Sequence, residues 1–231
     1  MSRKKLPGPK TPTKSAISAP NPSPWTDGFL FIGNHPALDF LNTRPVLDDG
    51  PTELLADFAT LLRWFEAAGL LGSQQARLLL KDWSSSFEAR QAVEHLRSFR
   101  EKLRQAVISW EQTGKVSADI VTTLNRIMTS SPMLTRLATP QPRSRNQKPE
   151  HLAIERWFDP QRPSDLIAPI AYFAAQLFAE EDSRRVRQCG QCVLHFLDTS
   201  KKGTRRWCSM QLCGNRQKVA AYAQRQRDQQ G

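Results

Sequence analysis

The chain is poor in cysteine, in long apolar runs and in export signals. Its four cysteines among 231 residues are too few for a disulfide-dense secreted scaffold. The longest nearly apolar run, residues 166–179, spans 14 residues, which is too short to cross a bilayer. No apolar segment follows the basic start Arg3-Lys4-Lys5, which argues against a secretory signal. These absences exclude a membrane protein and a disulfide toxin, and they favour a cytoplasmic protein.

Catalytic motifs are absent as well. The sequence has no phosphate-binding glycine loop, no H-E-x-x-H and no G-x-S-x-G. His35, His95 and His151 are isolated in sequence, so each is interpreted as a structural or surface histidine. No acid–base constellation and no open metal site can be recognised, and we therefore expect a protein that is not an enzyme.

Positive charge is in excess and unevenly spread. The chain holds 33 Lys+Arg against 22 Asp+Glu, for a net charge of +11. Residues 1–28 carry +4, residues 29–183 carry −2 and residues 184–231 carry +9. A module this basic favours a polyanionic partner, and nucleic acid in preference to a membrane. The division predicts a disordered basic, proline-rich tail (1–28), a globular middle module (29–183) that folds by itself, and a basic C-terminal module (184–231).

Amphipathic helices dominate the middle module. Apolar residues from Leu54 to Phe65 recur at helical spacing, with Thr52 as a candidate N-cap and Gly69 as the terminating residue. The same reasoning predicts four further helices. One covers residues 73–83, a longer one follows the serine cluster 84–86 and ends at Gly114, a short one is capped by Ser117 and stops at Ser131-Pro132, and the last covers residues 166–181. Short strands are predicted over residues 29–33, 133–139 and 151–158, while residues 37–43 fit either a strand or a short helix. The predicted fold class is mainly α with small β elements, or α+β.

All four cysteines lie in the last 43 residues as two close pairs. Two residues separate Cys189 from Cys192, 15 residues follow, and four residues separate Cys208 from Cys213. This spacing predicts one Zn²⁺ site, because four thiolates close a tetrahedral shell around a single ion. A closed shell has no position for water, so the zinc would be structural. Disulfides, free thiols and an iron–sulfur cluster are the alternatives.

The basic module needs such a metal because it offers few apolar residues for a core of its own. Residues 195–199 and 204–207 are predicted as two strands of a hairpin, with His195 on its surface. A helix is predicted after Cys208, with Ser209 as its N-cap. Knuckle, β-hairpin and helix together make a treble-clef-like finger.

The segment from Trp207 to Lys218 resembles the CGNR zinc finger, whose name motif is Cys213-Gly214-Asn215-Arg216 in this sequence. The first cysteine pair, the stretch Phe196-x-Asp198-x-Ser200 and Arg205-Arg206-Trp207 fit the same pattern, so the resemblance covers about residues 186–227.

The middle module is similar to the ABATE domain, which accompanies this finger in stress-induced transcription regulators of bacteria. Gly33, the stretch Ala37–Thr43, Trp64 before Gly69-Leu70, and Leu96-Arg97 carry the likeness. The resemblance implies a regulator that binds double-stranded DNA through its finger. The middle module would sense an unidentified small-molecule effector or form a homodimer.

Cations of the finger are the candidate nucleic-acid contacts. Four thiolates and one Zn²⁺ sum to −2, so the module keeps about +7. Arginine suits bidentate contacts to phosphate or guanine, and lysine acts as a point charge. The candidates are Lys201, Lys202, Arg205, Arg206, Arg216, Lys218 and Arg225. Two other functions stay open: an RNA-binding or general nucleic-acid module, and a zinc-dependent adaptor for an acidic protein partner.

Overall fold

The computed structural model describes residues 24–47, 50–138 and 152–215, together with residues 219 and 226. The predicted disorder of the first 23 residues therefore falls outside the described residues. So do His151 and three of the predicted DNA contacts: Arg216, Lys218 and Arg225.

Six α-helices form the body of the described chain. They are α1 (Pro36–Leu41), α2 (Phe58–Ala67), α3 (Ser73–Trp83), α4 (Phe87–Thr113), α5 (Ala118–Ser130) and α6 (Ile167–Glu180). Side chains of Ser86 and Ser117 cap the starts of α4 and α5, as Ser and Thr do at helix N-termini. Gly114 ends α4 in the left-handed conformation, with φ of 70°.

The strands of the described residues form four antiparallel two-stranded hairpins. They are β1 (Trp25–Thr26) with β2 (Phe29–Leu30), β3 (Val46–Leu47) with β4 (Gly50–Pro51), β5 (Leu134–Ala138) with β6 (Ala153–Trp157), and β7 (Val186–Gln188) with β8 (His195–Leu197). Short 3₁₀ segments, Pro163–Leu166 and Ser183–Arg185, flank α6. The mainly α architecture with small β elements is confirmed.

The main hydrophobic core is built around the long helix α4. Leu96, Leu103 and Val107 of α4 are buried there together with side chains from α1, α2 and α6. Val186 of β7 and Leu197 of β8 lie in the same core, although both belong to the basic module. Among the described residues, no helix is both long and apolar enough to cross a membrane.

The start of α2 differs from the predicted helix over Thr52 to Phe65. Asp57 is the N-cap, and its side chain accepts a hydrogen bond from the Thr60 amide. Leu55 is fully buried without being helical, because Arg97 of α4 binds its carbonyl oxygen and holds the preceding segment open. Tertiary contacts thus override the local apolar pattern.

Two further predictions are wrong, one for residues 204–207 and one for the N-terminal tail, and one open alternative is decided. Residues 204–207 are not a strand, and β8 pairs instead with β7, which precedes the first cysteine. Residues 37–43, left open between strand and helix, form most of α1. Trp25 and Thr26 fall within the predicted tail, yet they form β1.

Candidate metal centre and the finger surface

Two local structures place the four cysteines. Cys189 and Cys192 lie in the turn that joins β7 to β8. Cys208 immediately precedes Ser209, whose hydroxyl accepts a hydrogen bond from the Gln211 amide and caps a π-helical turn, Met210–Gly214. That turn carries Cys213. A knuckle and a capped helical turn therefore each present two thiols to the same point.

The spacing of the sulfur atoms fits one tetrahedral ion. All four Sγ atoms lie within 4.8 Å of one another. The Sγ atom of Cys208 is 3.6 Å from that of Cys192 and 3.7 Å from that of Cys213. Zn–S bonds of ~2.3 Å in a tetrahedron place neighbouring sulfurs ~3.8 Å apart. The distances are far longer than a disulfide bond, and the close cage suits a single ion better than a multi-iron cluster. One structural zinc ion fits this site.

Four thiols this close together cannot all ionise without a cation between them. Hydrogen bonds with Cys189 and Cys192, followed by burial, raise the pKa of the Cys208 thiol far above its usual value. Hydrogen bonds from Cys192 and Cys208 lower the pKa of Cys189. One thiolate is therefore stabilised while its neighbours are forced to stay protonated. A dication at the centre favours the thiolate form of all four, as a zinc site requires.

Arg205 holds the segment that bears Cys208. Its guanidinium lies over the Phe196 ring, with the central carbon 4.6 Å from the ring centroid. Its Nε donates to the Trp207 carbonyl at 2.8 Å, and one terminal nitrogen donates to the Cys208 carbonyl. Such outer contacts orient metal ligands. Arg205 therefore supports the third ligand from within the finger.

The loop of residues 198–205 is tied down by a buried carboxylate. Asp198 is fully buried, and its two oxygens accept the backbone amides of Ser200 and Arg205. Burial alone would raise the pKa of Asp198, but hydrogen bonds from the Ser200 hydroxyl and from these two amides keep the pKa below its ordinary value. Arg185 binds the carbonyls of Asp198 and Ser200, and Arg187 binds that of Gly203. The loop is thus a rigid platform.

Three of the predicted nucleic-acid contacts are exposed on or beside this platform. Lys201, Lys202 and Arg206 are exposed, and the Arg206 guanidinium lies 5.3 Å from the centroid of the Trp207 ring. Arg205 is only half-exposed because of the internal contacts described above. Lys201 and Lys202 are therefore exposed on the loop, and Arg206 is exposed directly after it, two residues before Cys208.

The finger is bonded to the middle module through its strand β8. The side-chain amide of Asn42 donates to the His195 carbonyl and accepts the His195 amide, both at 2.9 Å. The Leu197 amide donates to the Gly33 carbonyl at 2.8 Å, and Asn34 donates to the Leu197 carbonyl at 2.9 Å. These bonds satisfy the outer edge of β8 as a neighbouring strand would.

Asp39 of α1 shapes the segment that receives β8. Its buried carboxylate accepts the Gly33 amide at 2.7 Å. A Cβ atom on residue 33 would lie 2.8 Å from the Asp39 amide nitrogen, so only glycine permits this approach. Burial raises the pKa of Asp39 to about 7, although hydrogen bonds from the Gly33 and Ile32 backbone oppose the rise.

Apolar packing joins the two modules as well. Leu30 and Ile32 of the middle module are buried with Leu194, Phe196 and the cysteines of the finger. Trp25 packs against the same cluster. The finger was predicted to have a thin core of its own, and these residues complete it.

His195 is fully buried at this junction, which corrects its predicted place on the hairpin surface. Burial and then the positive charge of Arg104 lower the pKa of His195 to about 4, so its ring is neutral near pH 7. Neither ring nitrogen has a hydrogen-bond partner among the described residues. His195 also lies outside the thiol cluster. The contacts of His195 with the middle module are made by its backbone amide and carbonyl, which Asn42 binds.

Sequence reasoning missed Asn34 and Asn42 as functional positions, because bonds between residues more than 150 positions apart produce no periodic pattern. It also missed Asp39, whose bond to Gly33 is local but belongs to no recognised motif. Their signal was indirect. Asp39 and Asn42 belong to the stretch Ala37–Thr43 that carried the likeness of the middle module.

Comparison with known proteins finds two family models along the chain. The ABATE model, described as "Putative stress-induced transcription regulator", matches residues 34–181. The CGNR zinc finger model matches residues 185–226. Both are regulatory or zinc-finger types and neither is an enzyme family. No curated protein matches the chain.

Proposed function

The chain belongs to the ABATE family and ends in a CGNR zinc finger, and from this premise we propose that it is a transcription regulator that binds double-stranded DNA through the finger. The description of the ABATE family model supports a role in regulating transcription. The positive charge of the finger supports a polyanionic partner. Such a protein would act in the cytoplasm, on the nucleoid.

One observation carries the proposal. Lys201, Lys202 and Arg206 are exposed around a loop that Asp198, Arg185 and Arg187 hold rigid. Cations on a fixed backbone lose less conformational entropy on binding than cations on a frayed segment. They can therefore contact phosphates in a defined register, which base readout requires.

The metal would support DNA binding indirectly, by fixing the segment that carries these cations. Zinc at Cys189, Cys192, Cys208 and Cys213 would fix the two ends of the segment 193–207, and that segment carries the cations. Removing the metal should therefore abolish DNA binding without a direct zinc–DNA contact. The middle module would set when the finger is available, by binding an unidentified effector or by forming a homodimer.

The decisive test is selection of bound sequences from a random duplex pool at near-physiological salt, using the full chain with one zinc per chain. The proposal predicts enrichment of a common motif. Equal recovery of unrelated duplexes, with RNA competing as well as DNA, would indicate a general nucleic-acid module. Recovery of no nucleic acid would leave an adaptor for an acidic protein as the better account.

A matched variant links the result to the loop. Lys201→Ala combined with Lys202→Ala should weaken binding while zinc is retained, because neither side chain makes an internal contact like those of Arg205. Asp198→Asn, by contrast, should disturb the loop itself. Unchanged binding in the double lysine variant would contradict the assignment of this surface.

A further inference from the structure

The middle module binds the hairpin β7–β8 at the residue pair that precedes the first cysteine knuckle. Gln188 of β7 is paired with His195 of β8. Cys189 directly follows Gln188, and its amide donates to the Leu194 carbonyl at 2.9 Å. The turn that carries Cys189 and Cys192 therefore begins and ends at this pair. Gln188 and His195 are called the anchor pair below.

Side chains of two different helices hold the anchor pair from opposite edges of the hairpin. Asn42, at the end of α1, binds both the amide and the carbonyl of His195 at 2.9 Å. Glu111, near the end of α4, accepts the Gln188 amide at 3.2 Å. These backbone groups face away from the paired strand, where the hairpin itself offers them no partner. The position of the knuckle is therefore fixed by α1 and α4 together.

The knuckle supplies two of the four thiols and contacts the segment that supplies the other two. The Gly190 amide donates to the Arg206 carbonyl at 3.2 Å. The Trp207 ring lies against Gly190, where a Cβ atom would be 3.2 Å from the indole. The Sγ atom of Cys192 is 3.6 Å from that of Cys208. The arrangement of all four sulfur atoms therefore depends on where the anchor pair is held.

We propose that the middle module sets the zinc affinity of the finger through the anchor pair. Asn42 and Glu111 are positioning residues for the metal, because they orient its ligands through backbone groups without touching the thiols. A zinc site requires ligand distances correct to about 0.2 Å, so a knuckle freed from either helix binds zinc more weakly. The coupling is reciprocal, and zinc stabilises the contacts with α1 and α4 by the same factor.

This arrangement gives the middle module a route to the exposed cations of the finger. Arg187, next to the anchor pair on β7, donates to the Gly203 carbonyl at 3.0 Å. Gly203 belongs to the loop on which Lys201 and Lys202 are exposed. A change in α1 or α4 therefore reaches the loop through β7 as well as through the metal. Coupling of the middle module to zinc does not require DNA binding, so it is tested without nucleic acid.

Chelator competition on the full chain, under reducing conditions, measures the zinc dissociation constant. Asn42→Ala removes both bonds to His195, and the constant should rise roughly 10–100-fold. Glu111→Ala removes one more exposed bond, and the constant should rise about 2–10-fold. Glu111→Gln keeps an oxygen that can accept the Gln188 amide and should restore an affinity close to that of wild type.

Asn34→Ala is the matched control. Asn34 binds the same strand two residues farther from the knuckle, at the Leu197 carbonyl, so its loss should leave zinc affinity close to that of wild type. Far-UV circular dichroism shows whether each variant is folded. Glu111 lies at a partly exposed position, so Glu111→Ala and Glu111→Gln decide the matter if Asn42→Ala is unfolded.

Thermal unfolding of the helices, followed by circular dichroism with and without zinc, tests the reciprocal effect. Zinc removal should lower the melting temperature of the wild type more than that of Asn42→Ala. The proposal is overturned by wild-type zinc affinity in folded Asn42→Ala and Glu111→Ala, or by equal losses of affinity in Asn34→Ala and Asn42→Ala. An equal fall in melting temperature on zinc removal in wild type and Asn42→Ala would also overturn it.

Discussion

Arg205 illustrates how one residue can serve the metal centre while being a predicted DNA contact. Its guanidinium has five N–H donors, and two of its nitrogens donate to the carbonyls of Trp207 and Cys208. Contact of Arg205 with DNA stays a prediction. An Arg205 variant could lose DNA binding because a direct contact is gone or because the metal site is weakened. Measuring zinc content distinguishes the two causes.

Substitution of Arg205 should loosen the metal. Arg205→Ala removes both carbonyl contacts and the stacking on Phe196, so we expect zinc affinity to fall roughly 10–100-fold. Arg205→Lys keeps the charge but cannot reproduce the planar fork, so it should rescue only part of the loss. Chelator competition measures the affinity. Arg206→Ala, which removes an exposed cation beside it, is the matched control and should keep wild-type affinity.

Asp39 should make stability depend on pH. Burial raises the pKa of Asp39 to about 7, above that of an unfolded aspartate, so the folded state holds the proton more tightly. The stabilisation is complete below about pH 4 and is lost as pH rises toward 7. Between pH 5 and pH 8 the free energy of unfolding should fall by about 2–3 kcal/mol on this account.

Asp39→Asn isolates that effect, because an asparagine can still accept the Gly33 amide and does not titrate. Denaturant unfolding of both proteins across this range gives the comparison. The variant should lack the Asp39 contribution to the slope. Equal pH dependence in the two proteins would mean that Asp39 does not titrate with a raised pKa.

At the scale of single elements, capping residues and apolar periodicity predicted most helices. Ser117 was predicted as a cap and is one, and the helix predicted after the serine cluster 84–86 is capped by Ser86. Gly69 and Gly114 end their helices with positive φ. The start of α2 could not be predicted, because Arg97 fixes the carbonyls of Leu55 and Ala56 from a distant helix. The metal centre, by contrast, could be predicted from local sequence, because each cysteine pair lies within a single turn of the chain.

The pairing of β8 was not predicted, because its two edges have unlike partners. One edge pairs with β7, which precedes the first cysteine pair, and the other edge binds side chains of the middle module. Asn42 occupies the edge of β8, and β7 the other side. Neither arrangement produces a pattern in the segment 204–207, which was predicted as the partner strand.

Loss of the Asn42 amide should weaken the docking of the finger. Asn42→Ala leaves the buried amide and carbonyl of His195 without partners, at an expected cost of roughly 2–4 kcal/mol in unfolding free energy. Asn34→Ala removes one bond at a more exposed position and should cost about 1 kcal/mol. Thermal unfolding and amide exchange of β8 compare the two. Similar small losses in both variants would show that the docking is carried by apolar packing.

At the scale of the whole molecule, the two modules pack as neighbours that share side chains. Val186 and Leu197 enter the main core, while Leu30 and Ile32 enter the core of the finger. We still expect residues 29–183 to fold without the finger, at a cost of about 3–6 kcal/mol for the two lost aliphatic side chains. A cooperative thermal transition of that fragment would support this, and a non-cooperative one would mean that the modules fold as one unit.

The central claim is that the finger binds duplex DNA through the exposed cations between its two cysteine pairs. Its most direct test is duplex affinity at several salt concentrations for wild type and a variant with alanine at Lys201, Lys202 and Arg206. A control variant with alanine at Arg77, Lys81 and Arg126 removes the same charge from exposed positions of α3 and α5.

With zinc retained in all three proteins, the loop variant should lose at least about tenfold in affinity, and its salt slope should fall by about 2–3. The control should keep both values close to wild type. Unchanged affinity and slope in the loop variant, or equal losses in the two variants, would contradict the account.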